Sequence, residues 1–174
     1  MDLDWISRDE DDTLALGRLV GQCLQPGDVL ALVGPLGAGK TRLTQGIAKG
    51  LGIEEPVTSP TFILVAEYRT RAGFPLYHAD CYRLDRPLAE AQDIGLDELL
   101  DGRGACVVEW AERVQPLLPP DTLLVRITPM EGTQRRLNFH AHGARATQLL
   151  RQIATLLESA IHVASRTTVD DHGR

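Results

Sequence analysis

The sequence predicts an α/β fold: one domain with a sheet of parallel and antiparallel strands flanked by helices. Three stretches carry this expectation. Residues 28–33 (D-V-L-A-L-V) are a short apolar run that passes into a glycine-rich turn and then into residues 42–51, where Leu43, Ile47 and Leu51 keep helical spacing. Residues 105–110 (A-C-V-V-E-W) form a second apolar run that ends in an acid. Residues 122–127 and 136–140 alternate like strands and are separated by the short loop 130–134, which suits a hairpin and leaves no room for a crossover.

The elements follow in order. Residues 3–6 suit a short edge strand, and Ser7 is expected to cap the next helix with Glu10 at the capping-box position. Leu14, Leu16, Leu19, Val20, Cys23 and Leu24 give that helix its apolar face, and Pro26-Gly27 ends it. After the glycine-rich turn, the helix over 42–51 closes at Gly50 and Gly52. Residues 57–62 (V-T-S-P-T-F) form a polar, proline-held loop before a strand over 63–68. A charged turn over 69–74 precedes a strand over 76–80, where alternation puts Leu76, His78 and Asp80 on one face and Tyr77 and Ala79 on the other. Residues 88–92 and 93–100 read as two short helices before the apolar strand that ends at Glu109 and Trp110. A proline-rich turn over 117–121 leads into the hairpin. A helix over 144–163 carries Leu149, Leu150, Ile153, Leu156, Leu157 and Ile161 on one stripe. Residues 1–163 thus form one domain, and the polar segment 164–174 is expected to fray as a disordered tail.

Composition narrows the classes. The 174 residues are 43% hydrophobic and 24% charged, the balance of an ordinary globular domain. A net charge of −6 argues against a broad basic surface for DNA or RNA, although 16 of the 18 basic residues are arginine and a local patch stays open. Cys23, Cys81 and Cys106 are odd in number and form no C-x-x-C pair, so reduced thiols in a cytoplasmic protein are expected. The acidic first residues lack the apolar core of a signal peptide, and no apolar run is long enough for a membrane span.

The chemistry concentrates at residues 34–41, G-P-L-G-A-G-K-T, which fit the phosphate-loop pattern G-x-x-x-x-G-K-[ST]. Glycines let successive backbone N–H groups turn inward onto phosphate oxygens, and the helix that follows favours anions at its start. Lys40 is placed to reach the β- and γ-phosphates of a nucleotide and Thr41 to bind Mg²⁺. One of only two lysines in the chain stands at this position. Glu109, at the end of an apolar strand, is the candidate second magnesium ligand, because a carboxylate there is costly unless it meets solvent or a cation. The hydroxyl-bearing loop 57–62 reads either as an ordinary loop or as a switch facing the γ-phosphate. A GTPase is excluded: the single asparagine, Asn138, is followed by Phe139, so no N-K-x-D motif exists. A small-molecule kinase stays open, as does a nucleotide-gated binding module without essential hydrolysis.

Four motifs in order, G-P-L-G-A-G-K-T, V-T-S-P-T-F, L-Y-H-A-D-C-Y-R-L and V-V-E-W, resemble the bacterial TsaE (YjeE) family over residues 7–140. The resemblance implies a small cytoplasmic ATPase required to form N6-threonylcarbamoyladenosine at position 37 of tRNAs that read codons beginning with A. It implies action with the partners TsaB and TsaD, whose turnover the ATPase supports, contact with tRNA only through that complex, and no transferase activity of its own. Carried onto this chain, it makes Leu36, Gly37, Ala38, Gly39, Lys40 and Thr41 the phosphate loop and makes Thr41 and Glu109 the Mg²⁺ ligands. Glu10 and the Gly132 loop then border the adenosine end of ATP. Asp80 matches an acid needed for activity, so Lys40, Asp80 and Glu109 are the expected catalytic residues. Pro35 and Cys81 fill variable slots. His78 is expected to be a satisfied strand histidine rather than a catalytic one.

Overall fold

The computed structural model describes residues 1–60 and 64–170, with the side chains of 163–170 left aside. Seven strands form one sheet in the order β1-β7-β6-β2-β5-β4-β3. Its centre is parallel: β2 (Val29–Val33) lies between β6 (Thr122–Pro129) and β5 (Ala105–Glu109), and β5 pairs with β4 (Pro75–Asp80). Its edges are antiparallel: β7 (Arg135–Ala141) pairs with β6 and with β1 (Asp2–Ser7), and β3 (Val65–Arg69) pairs with β4. The α/β architecture and the hairpin join follow the sequence expectation. The expected start of β3 at residue 63 lies outside the described residues.

Strand alternation divides the core in two. Leu30, Leu32, Val107, Val125 and Phe139 face α1 (Glu10–Cys23), α2 (Lys40–Gly50) and α5 (Gly143–Asp170). Val29, Ala31, Val33, Cys106 and Val108 face the opposite layer, built from α3 (Pro87–Asp93), α4 (Leu96–Leu99) and the 3-10 turn Ala111–Arg113. β2 and β5 are buried at every position, and every residue in them but Glu109, the last of β5, is apolar, as strands covered on both faces are.

Helices α1 and α2 meet backbone to backbone. Gly17 and Gly21 on α1 face Gly46 and Gly50 on α2. A Cβ on Gly21 would lie 2.1 Å from the Ile47 carbonyl oxygen, and one on Gly50 would lie 2.2 Å from that of Arg18. Gly50 thus serves the packing of α2 and is also its last residue, with left-handed Gly52 at φ 74° just beyond, so the helix ends where the sequence placed its end.

Two expectations are corrected. Ser7 does not cap α1. It is the last residue of β1, paired with Arg135, and its buried hydroxyl bonds to the Asp9 carbonyl and Thr13. The chain turns only after the strand ends, so Asp9 is the cap: its carboxylate accepts from the Asp12 N–H at 2.8 Å, and Glu10 opens the helix. At the other end of the chain, α5 runs past residue 163 to Asp170. No glycine or proline interrupts residues 144–170, so nothing local stops the helix. Residues 171–174 of the expected tail lie outside the described residues.

Close approach of α1 and α2 leaves no room for a methyl group. Gly21→Ala is expected to destabilise the protein by about 1–3 kcal/mol or more, as overpacking does, read as a lower urea midpoint with an unchanged slope. An unchanged midpoint would mean that the two helices can part at no cost.

Candidate functional site

Parallel strands put their carboxyl ends on one edge of the sheet, and ligands of open α/β sheets sit there. Here the ends of β2, β5 and β4 adjoin, with Leu32 beside Glu109 and Glu109 beside Asp80 in register. The 34–41 loop leaves β2, turns through Gly37 (φ 76°) and Gly39 (φ 106°), and enters α2 at Lys40. Only glycine takes these left-handed angles without strain. No side chain caps α2, so the N–H groups of its first turn remain available to an anion. A cavity of about 440 Å³ opens over this loop. Leu36, Gly37, Ala38, Gly39, Lys40, Thr41, Glu10, Asp80 and Glu109 all line it. Gly132 does not. It lies in the turn between β6 and β7, at φ 62°.

Lys40 is almost fully buried. Its ammonium donates to the carbonyl oxygens of Gly34 at 2.6 Å and Pro35 at 2.9 Å, and it sits 3.8 Å from the centre of the Trp110 ring. Burial lowers its pKa; the nearby carboxylates of Glu109, Glu112 and Asp80 work in the opposite direction. Trp110 reaches this position because its backbone is left-handed at φ 57°, unusual for a bulky residue. Tyr82 packs against the same ring, with centroids 4.7 Å apart and the planes tilted by 36°. Trp110 therefore belongs to the cavity wall, a role the sequence left open.

Glu109 is 2% exposed, and its carboxylate is held by donors from two elements. Oε2 accepts from the Thr41 hydroxyl at 3.0 Å. Oε1 accepts from Thr44 at 3.2 Å and lies 2.8 Å from His78 Nε2. Thr41 and Glu109, distant in sequence, thus place two hard oxygens side by side. Magnesium takes oxygen ligands and keeps several from water or phosphate, so this donor set fits Mg²⁺ that arrives with a phosphate. No group of three His, Cys, Asp or Glu among the described residues could hold a metal unaided.

Asp80 bonds at both oxygens. Oδ2 accepts from the Ser59 hydroxyl, and Oδ1 accepts from the Tyr82 N–H at 2.9 Å. Ser59, Pro60 and Leu64 join Asp80 in the cavity wall, which brings the 57–62 loop to the site as far as it is described. Sequence reasoning missed Arg135. Its Nε donates to the Ala38 carbonyl at 3.0 Å, and an Nη lies 3.5 Å from Glu10 Oε1, both residues lining the cavity. No local motif marks it, because an arginine at the start of a strand, here followed by a second arginine, carries no sign of which distant loop it will meet. Thr44 and the second bond of Glu109 were missed for the same reason.

Three comparisons bear on this site. Residues 7–137 match the family model described as threonylcarbamoyl adenosine biosynthesis protein TsaE. The tRNA threonylcarbamoyladenosine biosynthesis protein TsaE of Bacillus subtilis is 41% identical over 152 residues, covering 87% of this chain and 94% of that protein. The protein of the same name from Treponema pallidum is 44% identical over 132 residues, covering 76% and 96%. In structure, the chain is similar to Bacillus subtilis YdiB, with a TM-score of 0.76 and 37% identity over 89% of this chain and 95% of that one.

Cys81, beside Asp80, is buried, and burial pushes its thiol up to about 12; Cys106 is likewise raised to about 12 by burial. At pH 8 this leaves about one thiolate in 10⁴. Ellman's reagent is therefore expected to label neither thiol in the folded protein at pH 8, and to label both once guanidinium unfolds it. Fast labelling of Cys81 in the folded state would contradict its placement.

Proposed function

The chain belongs to the TsaE family, and on that premise we propose that it is a Mg²⁺-dependent ATPase acting in the formation of N6-threonylcarbamoyladenosine in tRNA. The observation that carries the reading is the Thr41–Glu109 pair at 3.0 Å beside the buried Lys40, all over an uncapped helix start. TsaE proteins take part in threonylcarbamoyladenosine biosynthesis. The ATPase activity, the magnesium and the partnership with TsaB and TsaD are the finer parts of the proposal.

In this reading, Lys40 exchanges the Gly34 and Pro35 carbonyls for phosphate oxygens, so its ammonium is never left buried without acceptors. The N–H groups of the loop and of the first turn of α2 take the remaining phosphate oxygens. Thr41 and Glu109 hold Mg²⁺, which offsets charge on the transferring phosphoryl group. Asp80 keeps free lone pairs after binding Ser59 and the Tyr82 N–H, so it can orient the attacking water. Glu10 and Arg135 flank the adenosine end. The TsaB–TsaD pair completes the site, and a supplied group of that kind is worth about 10³-fold or more.

Phosphate release from Mg·ATP by the full chain, alone and with TsaB–TsaD, tests this directly. Slow release alone, a sharp rise with the pair, and loss of both in Lys40→Ala are expected. Tight ATP binding with no stimulated release would favour a nucleotide-gated module, and a phosphorylated small molecule in place of free phosphate would favour a kinase. In a second measurement, Glu109→Gln is expected to cut Mg²⁺-dependent hydrolysis by about 10²-fold, the scale that misplaced reacting groups reach, with a smaller effect on ATP affinity. Unchanged hydrolysis would remove Glu109 from the metal site.

A further inference from the structure

His78 is a buried polar side chain that the hydrolysis described above does not use. It lies on β4 with no exposed surface. Its Nε2 is 2.8 Å from Glu109 Oε1, while its Nδ1, also buried, has no hydrogen-bond partner among the described residues. An unsatisfied buried polar atom costs about 1–3 kcal/mol. An apolar side chain would fill the same volume without that cost, so volume alone does not account for a histidine here. A proton on Nε2 is used by the carboxylate, whereas a proton on Nδ1 would find no acceptor among the described residues. The tautomer that satisfies the site carries its proton on Nε2 and donates it to Glu109.

The two oxygens of Glu109 then have different duties. Oε1 is held from β4 by His78 and from α2 by Thr44, at 2.8 and 3.2 Å. Oε2 is left to Thr41 at 3.0 Å, and Thr41 and Glu109 both line the cavity. A glutamate has one more rotatable bond than the aspartate usual at this strand end, so its carboxylate needs an extra anchor to stay in one orientation. Strand alternation supplies it: His78 and Asp80 are two residues apart on the same face of β4, and β4 pairs in register with β5.

We propose that His78 is a positioning residue for Glu109: it pins Oε1 so that Oε2 is presented beside the Thr41 hydroxyl to the magnesium of a bound nucleotide. This rests on the Mg²⁺–nucleotide reading given above. Loss of such a supporting hydrogen bond behind a metal ligand typically costs about 10–100-fold in metal affinity.

The test is binding of a ribose-labelled fluorescent ADP to the full chain, titrated with Mg²⁺ and repeated in EDTA. The variants are His78→Gln, whose amide nitrogen falls near the Nε2 position, His78→Asn, whose amide falls short of Glu109, and His78→Phe. His78→Gln is expected to keep the wild-type Mg²⁺ half-saturation. His78→Asn and His78→Phe are expected to raise it by about 10–100-fold, with labelled-ADP affinity in EDTA unchanged in all three. The Gln–Asn pair decides the matter if the Phe variant does not fold. A wild-type response to Mg²⁺ in His78→Asn, or an equal loss of ADP affinity with and without Mg²⁺, would overturn the positioning role alone. A wild-type chain that binds labelled ADP with no Mg²⁺ dependence would instead overturn the metal reading itself, and this inference with it.

Discussion

Burying the Glu109 carboxylate is unfavourable unless its lone pairs are filled by donors, and the way they are filled ties the site together. His78 comes from β4, Thr41 and Thr44 come from α2, and Glu109 itself ends β5. One satisfied carboxylate thus fixes the start of α2 against two parallel strands. Lys40 and Asp80 take their places from the same arrangement, one at the start of that helix and the other two residues beyond His78. The chemistry at the cavity and the stability of this corner of the fold rest on the same hydrogen bonds, so change at Glu109 acts on both.

Placement of α2 has a second support on its far side. Four glycines let α1 and α2 approach until carbonyl oxygens lie where side chains would be. The backbone contact leaves little freedom for α2 to slide, and on the proposed reading the end of the helix that would face phosphate needs that fixity, since small misplacements of reacting groups cost rate steeply. Trp110 adds local strain to the same purpose. Its left-handed backbone turns the ring over Lys40, and Tyr82 packs against the same ring and helps to hold it there.

Much of the architecture was legible along the chain, wherever the cause of a structure is local. The apolar runs of β2 and β5 mark strands buried on both faces, and the alternation in β6 and β7 with a short loop marks a hairpin. The Leu76–His78–Asp80 face of β4 follows from a period of two. Errors arose where a residue had two local uses and a distant contact chose between them. Ser7 can cap a helix or end a strand, and pairing with Arg135 on β7 makes it the strand end.

By itself the sequence determined which segments become strands and helices at the sheet's centre, and it marked the glycine-rich loop, Lys40, Thr41 and Glu109 as candidates, while Asp80 entered only through the family resemblance. The elements follow from periodicity and the loop from the backbone freedom of glycine, both of which act over a few residues. Only the tertiary structure decided what each of those side chains touches. It put Arg135 across from Glu10, brought Trp110 over Lys40, and gave His78 to Glu109. Such contacts join residues far apart in the chain, and no local spacing encodes them; they follow from strand order and register, which only the folded sheet sets.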